Sequence, residues 1–133
     1  MPRTAAHARA APDGAATLQV GAAEHLDFGA ALPAARFTQH ACDPNGDMVI
    51  TADAASFVAR RDVAAGDLLT FDYTTTEYDM AAPFECACGG PRCLGAVRGY
   101  RHLDAAQRME RRGRASAAVR GLAAADAAAA AAG

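Results

Sequence analysis

The chain has 133 residues, enough for one domain with a modest hydrophobic core. Its formal net charge is −2, which gives no general attraction to nucleic acid or to an anionic membrane. No apolar run approaches the ~20 residues that span a bilayer, so we expect neither membrane nor nucleic acid as a partner. All 13 basic residues are arginine, and the chain contains no lysine.

Composition divides the chain into a leader, a middle part and a tail. Residues 1–16 contain Ala, Arg and Pro without periodicity and are predicted to be a disordered leader. The middle part holds nearly all the aromatic residues and every cysteine. Residues 101–133 are rich in Ala and Arg, and this tail is predicted to be helical where it can pack, because alanine is the best helix former. No signal peptide is recognisable at the start, so a cytoplasmic protein is expected.

Three short strands are predicted in the middle part. DMVITAD (residues 47–53) alternates apolar and more exposed positions, which is typical of a half-buried strand. SFVARRDV (56–63) and LLTFDY (68–73) are rich in β-branched and aromatic residues. The Gly-containing turn AAGD (64–67) between them predicts that these two strands form a hairpin. No helix is predicted before residue 103.

The four cysteines follow a spacing that is typical of a metal site. Cys86, Cys88 and Cys93 form the pattern C-x-C-x4-C within FECACGGPRCLG, and Cys42 lies in QHACDPN. Four thiolates make a closed tetrahedral zinc site that uses every cysteine. Two disulfides, or four buried apolar cysteines, are the alternatives. Disulfides are rare in a reducing cytosol. The glycines and proline of FECACGGPRCLG (84–95), called the knuckle below, also favour zinc.

Three segments, in this order, resemble the SET-domain protein-lysine methyltransferases. RFTQHACDPN (36–45) is similar to the family motif R-F-x-N-H-x-C-x-P-N. ARRDVAAGDLLTFDY (59–73) resembles the family's strand, turn and L-T-F-D-Y ending, and FECACGGPRCLG (84–95) resembles its post-SET zinc element. The resemblance covers roughly residues 36–100, and 17–35 more loosely. The resemblance is to a short form of the family. The abundance of Ala and Arg favours a bacterial member.

The resemblance implies a mostly β fold of small irregular sheets. In it the Q-H-x-C-x-P-N segment threads beside L-T-F-D-Y to form a pseudoknot, followed by a zinc-binding post-SET knuckle and a C-terminal helix. The implied organisation is a SET-like domain at 17–83, a zinc element at 84–100 and the helical tail at 101–133. The implied function is S-adenosylmethionine-dependent protein-lysine N-methyltransferase, with a lysine-bearing protein as substrate.

The resemblance also assigns site residues. Tyr73 takes the catalytic role of orienting the substrate amine. Phe71, two residues earlier on the same strand face, borders the lysine channel and leaves room for more than one methyl group. The implied cofactor contacts are Arg36, Phe37, Gln39, His40 and Leu94, and the implied zinc ligands are Cys42, Cys86, Cys88 and Cys93. From the residues alone, Tyr73 equally fits a strand-end aromatic, Phe71 a core residue and His40 a loop histidine with local hydrogen bonds.

Two departures from the family pattern leave a second function open. Gln39 stands where the family has asparagine, and no G-x-G motif precedes it. No tyrosine occurs before Tyr73 either. Half of the cofactor pocket is therefore divergent, supplied by another subunit, or lost. The alternative function is a non-catalytic, zinc-stabilised interaction module derived from a SET domain. The basic strip at 98–114 is interpreted as a solvated helix face. Substrate identity, methylation state and oligomeric state stay open.

Overall fold

The computed structural model describes residues 17–27, 38–51 and 54–132. Its strands are β1 (Thr17–Gln19), β2 (His25–Asp27), β3 (Gln39–His40), β4 (Gly46–Ile50), β5 (Ala55–Ala59), β6 (Thr70–Phe71), β7 (Phe84–Glu85) and β8 (Ala96–Val97). Its α-helices are α1 (Ala105–Arg111) and α2 (Ala117–Ala132), and single 3-10 turns form at Tyr73–Thr75 and Tyr100–His102. Within the described ranges no helix is long and apolar enough to cross a bilayer.

The strands form four separate two-stranded sheets. β1–β2, β4–β5 and β7–β8 are antiparallel, whereas β3 and β6 pair in parallel. The alternation predicted for the first strand agrees with β4, where Met48 is 6% exposed and its neighbour Val49 is 43% exposed. Met48 packs with Leu18 and Phe71 in one of two small hydrophobic cores. The prediction of small sheets with few strands is confirmed.

The predicted hairpin between residues 56–63 and 68–73 is wrong. β5 turns back onto β4, and only two residues of the third predicted strand are extended, as β6. The backbone N–H groups of Gln39 and Ala41 donate to the carbonyl oxygens of Leu69 (3.1 Å) and Phe71 (3.2 Å). Hydrogen bonds from a distant segment thus replace the local pairing that the Gly-containing turn favours.

Asn45 joins the segment 38–45 to the β6 region through its side chain. Its amide nitrogen donates to the Leu68 carbonyl oxygen (2.7 Å), and its amide oxygen accepts from the Thr70 backbone N–H (2.8 Å). The Thr70 hydroxyl in turn accepts from the Asn45 backbone N–H (2.9 Å). These bonds hold Asn45, and with it the end of the segment, beside Leu68 and Thr70.

The C-terminal segment is helical, as predicted, but it forms two helices instead of one. Asp104 begins α1 with a capping box, because its side chain accepts from the Gln107 N–H while the Gln107 side chain accepts from the Asp104 N–H. The two helices together hold almost as many residues as the strands, so the described part is less dominated by β-structure than predicted. One residue of the basic strip, Arg111, is only 1% exposed, so at that position the interpretation as a solvated face is wrong.

A second hydrophobic core joins this helical segment to the rest of the domain. Its buried members are Tyr78, Tyr100, Ala115 and Val119. Gly99 lets the chain enter this core after β8, since its φ is +112° and a Cβ there would lie 2.5 Å from the Tyr78 carbonyl oxygen. Only glycine fits this close approach of two backbones.

Candidate metal centre and aromatic cleft

The four predicted metal ligands meet in one cluster. The sulfur atoms of Cys42, Cys86, Cys88 and Cys93 all lie within 4.8 Å of one another, and none is in a disulfide. Cys42 and Cys86 are 44 positions apart in the chain, yet their sulfur atoms are 3.8 Å apart. Zinc bound tetrahedrally at ~2.3 Å by four sulfurs requires sulfur–sulfur distances of about 3.8 Å. The donor set and its spacing therefore fit a tetrahedral metal ion.

Backbone N–H groups surround the cluster with donors for thiolate sulfur. Leu94 donates to the sulfur of Cys42 (3.3 Å), and Cys88 donates to the sulfur of Cys86 (3.4 Å). A hydrogen bond from the Gly90 backbone is the main cause that lowers the pKa of the Cys88 thiol to about 6. Thiolate is the form that binds metal, so these donors favour the metal-binding state at Cys88, whereas burial raises the pKa of the Cys42 and Cys86 thiols.

His40 links the cluster to the turn that begins with Tyr73. Its Nε2 atom lies 3.3 Å from the sulfur of Cys42, and its Nδ1 atom accepts from the backbone N–H of Tyr73 (3.1 Å). Because Nδ1 is an acceptor, the ring proton of the neutral histidine resides on Nε2 and points to the sulfur. Burial lowers the pKa of His40, which keeps the ring neutral at pH 7.

Four rings pack against one another beside the cluster, and we call this group, formed by His40, Phe71, Tyr73 and Phe84, the aromatic cleft. His40 and Tyr73 have centroids 5.3 Å apart, and Phe84 makes edge contacts to His40 (5.6 Å) and Tyr73 (5.9 Å). Phe71 lies 4.8 Å from Tyr73. Phe84 is 37% exposed, so an aromatic face of the cleft is open to solvent. Sequence reasoning missed Phe84, although it stands two residues before the first cysteine of the knuckle.

The Tyr73 hydroxyl has a defined hydrogen bond in the cleft. It donates to the carbonyl oxygen of Thr38 (3.0 Å), which belongs to the segment leading into β3. Burial, with a smaller contribution from the charge of Glu77, raises the pKa of Tyr73 to about 12. The phenol therefore stays protonated at neutral pH and acts as a hydrogen-bonding group, with oxygen lone pairs left to accept a further bond.

The other predicted site residues lie in different environments. Phe71 is 3% exposed and is both a core residue and a wall of the cleft. Gln39 is exposed on β3, and Leu94 is half-buried next to the cluster. Arg36 and Phe37 lie outside the described residues.

Glu77 is a buried carboxyl group that sequence reasoning also missed. Its side chain is 15% exposed and accepts hydrogen bonds from the Gln19 backbone N–H (2.9 Å) and the Thr76 hydroxyl (2.9 Å). Burial raises its pKa from the ordinary 4.5 to about 7, despite these two bonds. An isolated glutamate on a short polar segment gives no sequence signal of such burial.

We expect this carboxyl group to make stability fall as pH rises from 4.5 to about 7. In that range folded Glu77 keeps a proton that the unfolded chain has released, so its stabilising contribution is full below pH 4.5 and lost by pH 7. The total loss should be about 3 kcal/mol. Urea unfolding across this range measures it, with Glu77→Gln as the comparison. Equal slopes in the two proteins would contradict this assignment.

The family model and the similar proteins point to the same family. A model described as "SET domain" matches residues 6–74 of the chain. A methyltransferase named flvH from Aspergillus flavus is 35% identical over 69 residues, which are 52% of this chain and 39% of that protein. Two histone-lysine N-methyltransferases described as H3 lysine-36 specific are also similar. The one from Candida glabrata is 36% identical over 54% of this chain, and the one from Schizosaccharomyces pombe is 32% identical over 65%. The chain spans about two fifths of the first relative and about one tenth of the other two.

Proposed function

The chain belongs to the SET domain family, and on that premise we propose that it is an S-adenosylmethionine-dependent protein-lysine N-methyltransferase. The observation that carries this proposal is that His40 contacts both the sulfur of Cys42 and the backbone and ring of Tyr73, so the phenol ring lies close to the four-cysteine cluster. Relatives named as methyltransferases align with about half of this chain. We propose a lysine-bearing protein as the substrate and the cytoplasm as the location.

We propose that the four cysteines hold zinc and that its role is structural. Four thiolates fill the tetrahedral coordination, so no position is left open for substrate or water. The metal would tie Cys42, and with it the segment 38–45, to the knuckle at 84–95. Because this segment also pairs in parallel with β6, we infer that the chain has the pseudoknot expected from the family.

Part of a site for the methyl donor can be named from this chain. S-adenosylmethionine, when bound, supplies a methyl group on a positively charged sulfur. Next to the cluster, Leu94 offers apolar surface, and on β3 Gln39 offers an exposed amide. These residues fit one side of an adenosyl group. Both nitrogens of His40 are engaged within the protein and its side chain is 2% exposed, so its proposed role is to hold Tyr73 and Cys42 beside the ligand. Arg36 and Phe37 are proposed to complete this side.

Tyr73 is proposed to orient the substrate amine. Transfer of a methyl group to lysine requires a neutral amine whose lone pair points along the bond that breaks. The Tyr73 hydroxyl donates to Thr38, so its oxygen can accept a hydrogen bond from the amine and fix that direction. The phenol stays protonated, and the lysine therefore loses its own proton to solvent before the reaction.

Phe71 and Phe84 are proposed to shape the lysine channel. Phe71 has no hydroxyl to hold a water molecule, so the channel has room for an amine that already carries a methyl group. Phe84 is part-exposed at the mouth of the cleft and can contact the aliphatic stem of the lysine. Di- or trimethylated lysine is the proposed product.

A non-catalytic module is the second candidate, and two observations favour it. Gln39 replaces the asparagine expected in the motif, and residues 1–35 contain no G-x-G. A zinc-stabilised fold without a complete cofactor site would serve to bind a protein partner.

Transfer of a labelled methyl group separates the two candidates. Zinc-loaded protein is incubated with tritiated S-adenosylmethionine and a lysine-bearing histone H3 peptide, with the same peptide carrying arginine for every lysine as control. The enzyme should label the first peptide and not the second. The chain contains no lysine of its own, so labelled lysine can only come from the substrate. Folded protein that labels neither peptide would favour the module.

A further inference from the structure

A buried ion pair joins helix α1 to the residue that precedes Tyr73. The Nε atom of Arg111 lies 2.5 Å from Oδ2 of Asp72, and the two side chains are 2% and 0% exposed. Arg111 Nη1 also donates to the Gln107 carbonyl oxygen (3.1 Å), which fixes the guanidinium along its own helix. The pair connects residues 39 positions apart, and Asp72 directly precedes Tyr73 in the chain.

The second oxygen of the Asp72 carboxylate organises the turn that carries Tyr73. Oδ1 accepts from the backbone N–H of Thr74 (2.9 Å) and from its hydroxyl (2.6 Å), so Asp72 is the cap of the 3-10 turn. The Asp72 carboxylate is a rigid, planar group, and the guanidinium of Arg111 binds one of its two oxygens. The direction of the other oxygen, and with it the start of the turn, follows from that contact.

Residues that follow α1 also contact the turn that carries Tyr73. The backbone N–H of Ser116 donates to the Thr75 carbonyl oxygen (2.8 Å), and Val119 packs in the core next to Tyr78. This helical segment lies outside residues 6–74, the part that the family model matches. It nevertheless contacts the Tyr73 turn at two points, through Arg111 to Asp72 and through Ser116 to Thr75.

Stability alone is a weak reason for this arrangement. A buried ion pair loses hydration on both partners, and an apolar pair of similar volume is often equally stable. What the ion pair adds is a fixed direction for the carboxylate. The Asp72 and Arg111 side chains are almost completely buried, so their pairing constrains the geometry of both groups.

We propose that Arg111 is a positioning residue that sets the orientation of Tyr73 through Asp72, which makes helix α1 a part of the functional site. This inference rests on the proposed function, since Tyr73 is the residue assigned to orient the amine. The distances Arg111–Asp72 and Asp72–Thr74 carry it.

The test compares Arg111→Lys and Arg111→Met with Val119→Ala. Lysine keeps the positive charge but lacks the planar guanidinium group. If the methionine variant does not fold, the lysine variant alone tests the role of Arg111. Val119→Ala weakens the second core without touching Asp72 and serves as the control for lost stability. Folding is checked by circular dichroism, and the free energy of unfolding of each protein is measured in urea.

Two readouts follow in the zinc-loaded protein. Amide hydrogen exchange at Tyr73 and Thr74 should be about tenfold faster in the Arg111 variants than in a Val119→Ala protein of matched stability. In the methyl-transfer assay, kcat should fall about tenfold while KM for the peptide stays nearly constant, because the loss concerns alignment. Exchange at these two amides equal to that of Val119→Ala would overturn the proposal, as would an unchanged kcat. If the wild-type protein transfers no methyl group, the proposed function fails, and the exchange result still decides the role of Arg111.

Discussion

A Cys42→Ser variant is expected to lose its zinc and to unfold more easily than the wild-type protein. Cys42 is the one ligand outside the knuckle, and its sulfur accepts from Leu94 and contacts His40. Removing it leaves three ligands and releases the segment 38–45 from residues 84–95. Zinc binding is coupled to folding in such sites, so we expect a loss of about 3 kcal/mol or more in the free energy of unfolding.

The measurement is zinc per folded chain, together with unfolding in urea. Cys88→Ser is the matched comparison, because it makes the same substitution within the knuckle. Both variants should lose metal to a similar extent, and a chelator added to the wild-type protein should reproduce the loss of stability. A Cys42→Ser protein that still holds one zinc per chain would show that the metal does not join the segment 38–45 to the knuckle. The proposed cleft would then lose its support.

A Tyr73→Phe variant is expected to lose methyl transfer while keeping its fold. The ring contacts to His40, Phe71 and Phe84 remain, so only the hydrogen bond to Thr38 is lost, at a cost of about 1 kcal/mol in stability. Without the hydroxyl nothing orients the amine lone pair, and kcat should fall about 100-fold.

Tyr78→Phe is the matched control for this variant. The Tyr78 hydroxyl bonds to Asp126 of helix α2, away from the cleft, so its removal should leave kcat close to that of the wild-type protein. Peptide methylation by both variants is compared at equal zinc content. If Tyr73→Phe and Tyr78→Phe have the same kcat as the wild-type protein, Tyr73 does not orient the amine.

The cysteine cluster could be predicted from the sequence because the cysteine spacing is distinctive and uses every cysteine in the chain. Three cysteines share one short knuckle, and Cys42 is the only other cysteine in the chain. The helical C-terminal segment was likewise predictable, because alanine has a strong local preference for helix.

Pairings over long distances were not predictable in the same way. β3 and β6 have two residues each, too few for any alternation, and their partners are set by hydrogen bonds between segments thirty residues apart. The turn at 64–67 therefore predicted the wrong hairpin partner. Tertiary contacts outweighed the local preference for a hairpin at that point.

Two residues of the proposed site were missed for a related reason. Arg111 lies in a basic strip whose other members give the pattern of a solvated helix face, and its buried partner, Asp72, is 39 positions away. Phe84 looks like an ordinary strand residue, and its role in the cleft depends on the knuckle folding back onto His40. In both cases the environment, and not the residue type, determines the function.

Calorimetric titration of S-adenosylmethionine into the zinc-loaded protein tests the central claim most directly. A cleft held together by the metal predicts saturable binding at one site per chain, weakened at least about tenfold in Cys42→Ser. No binding heat from folded, zinc-loaded protein, at protein and ligand concentrations well above the micromolar range, would contradict the enzymatic account.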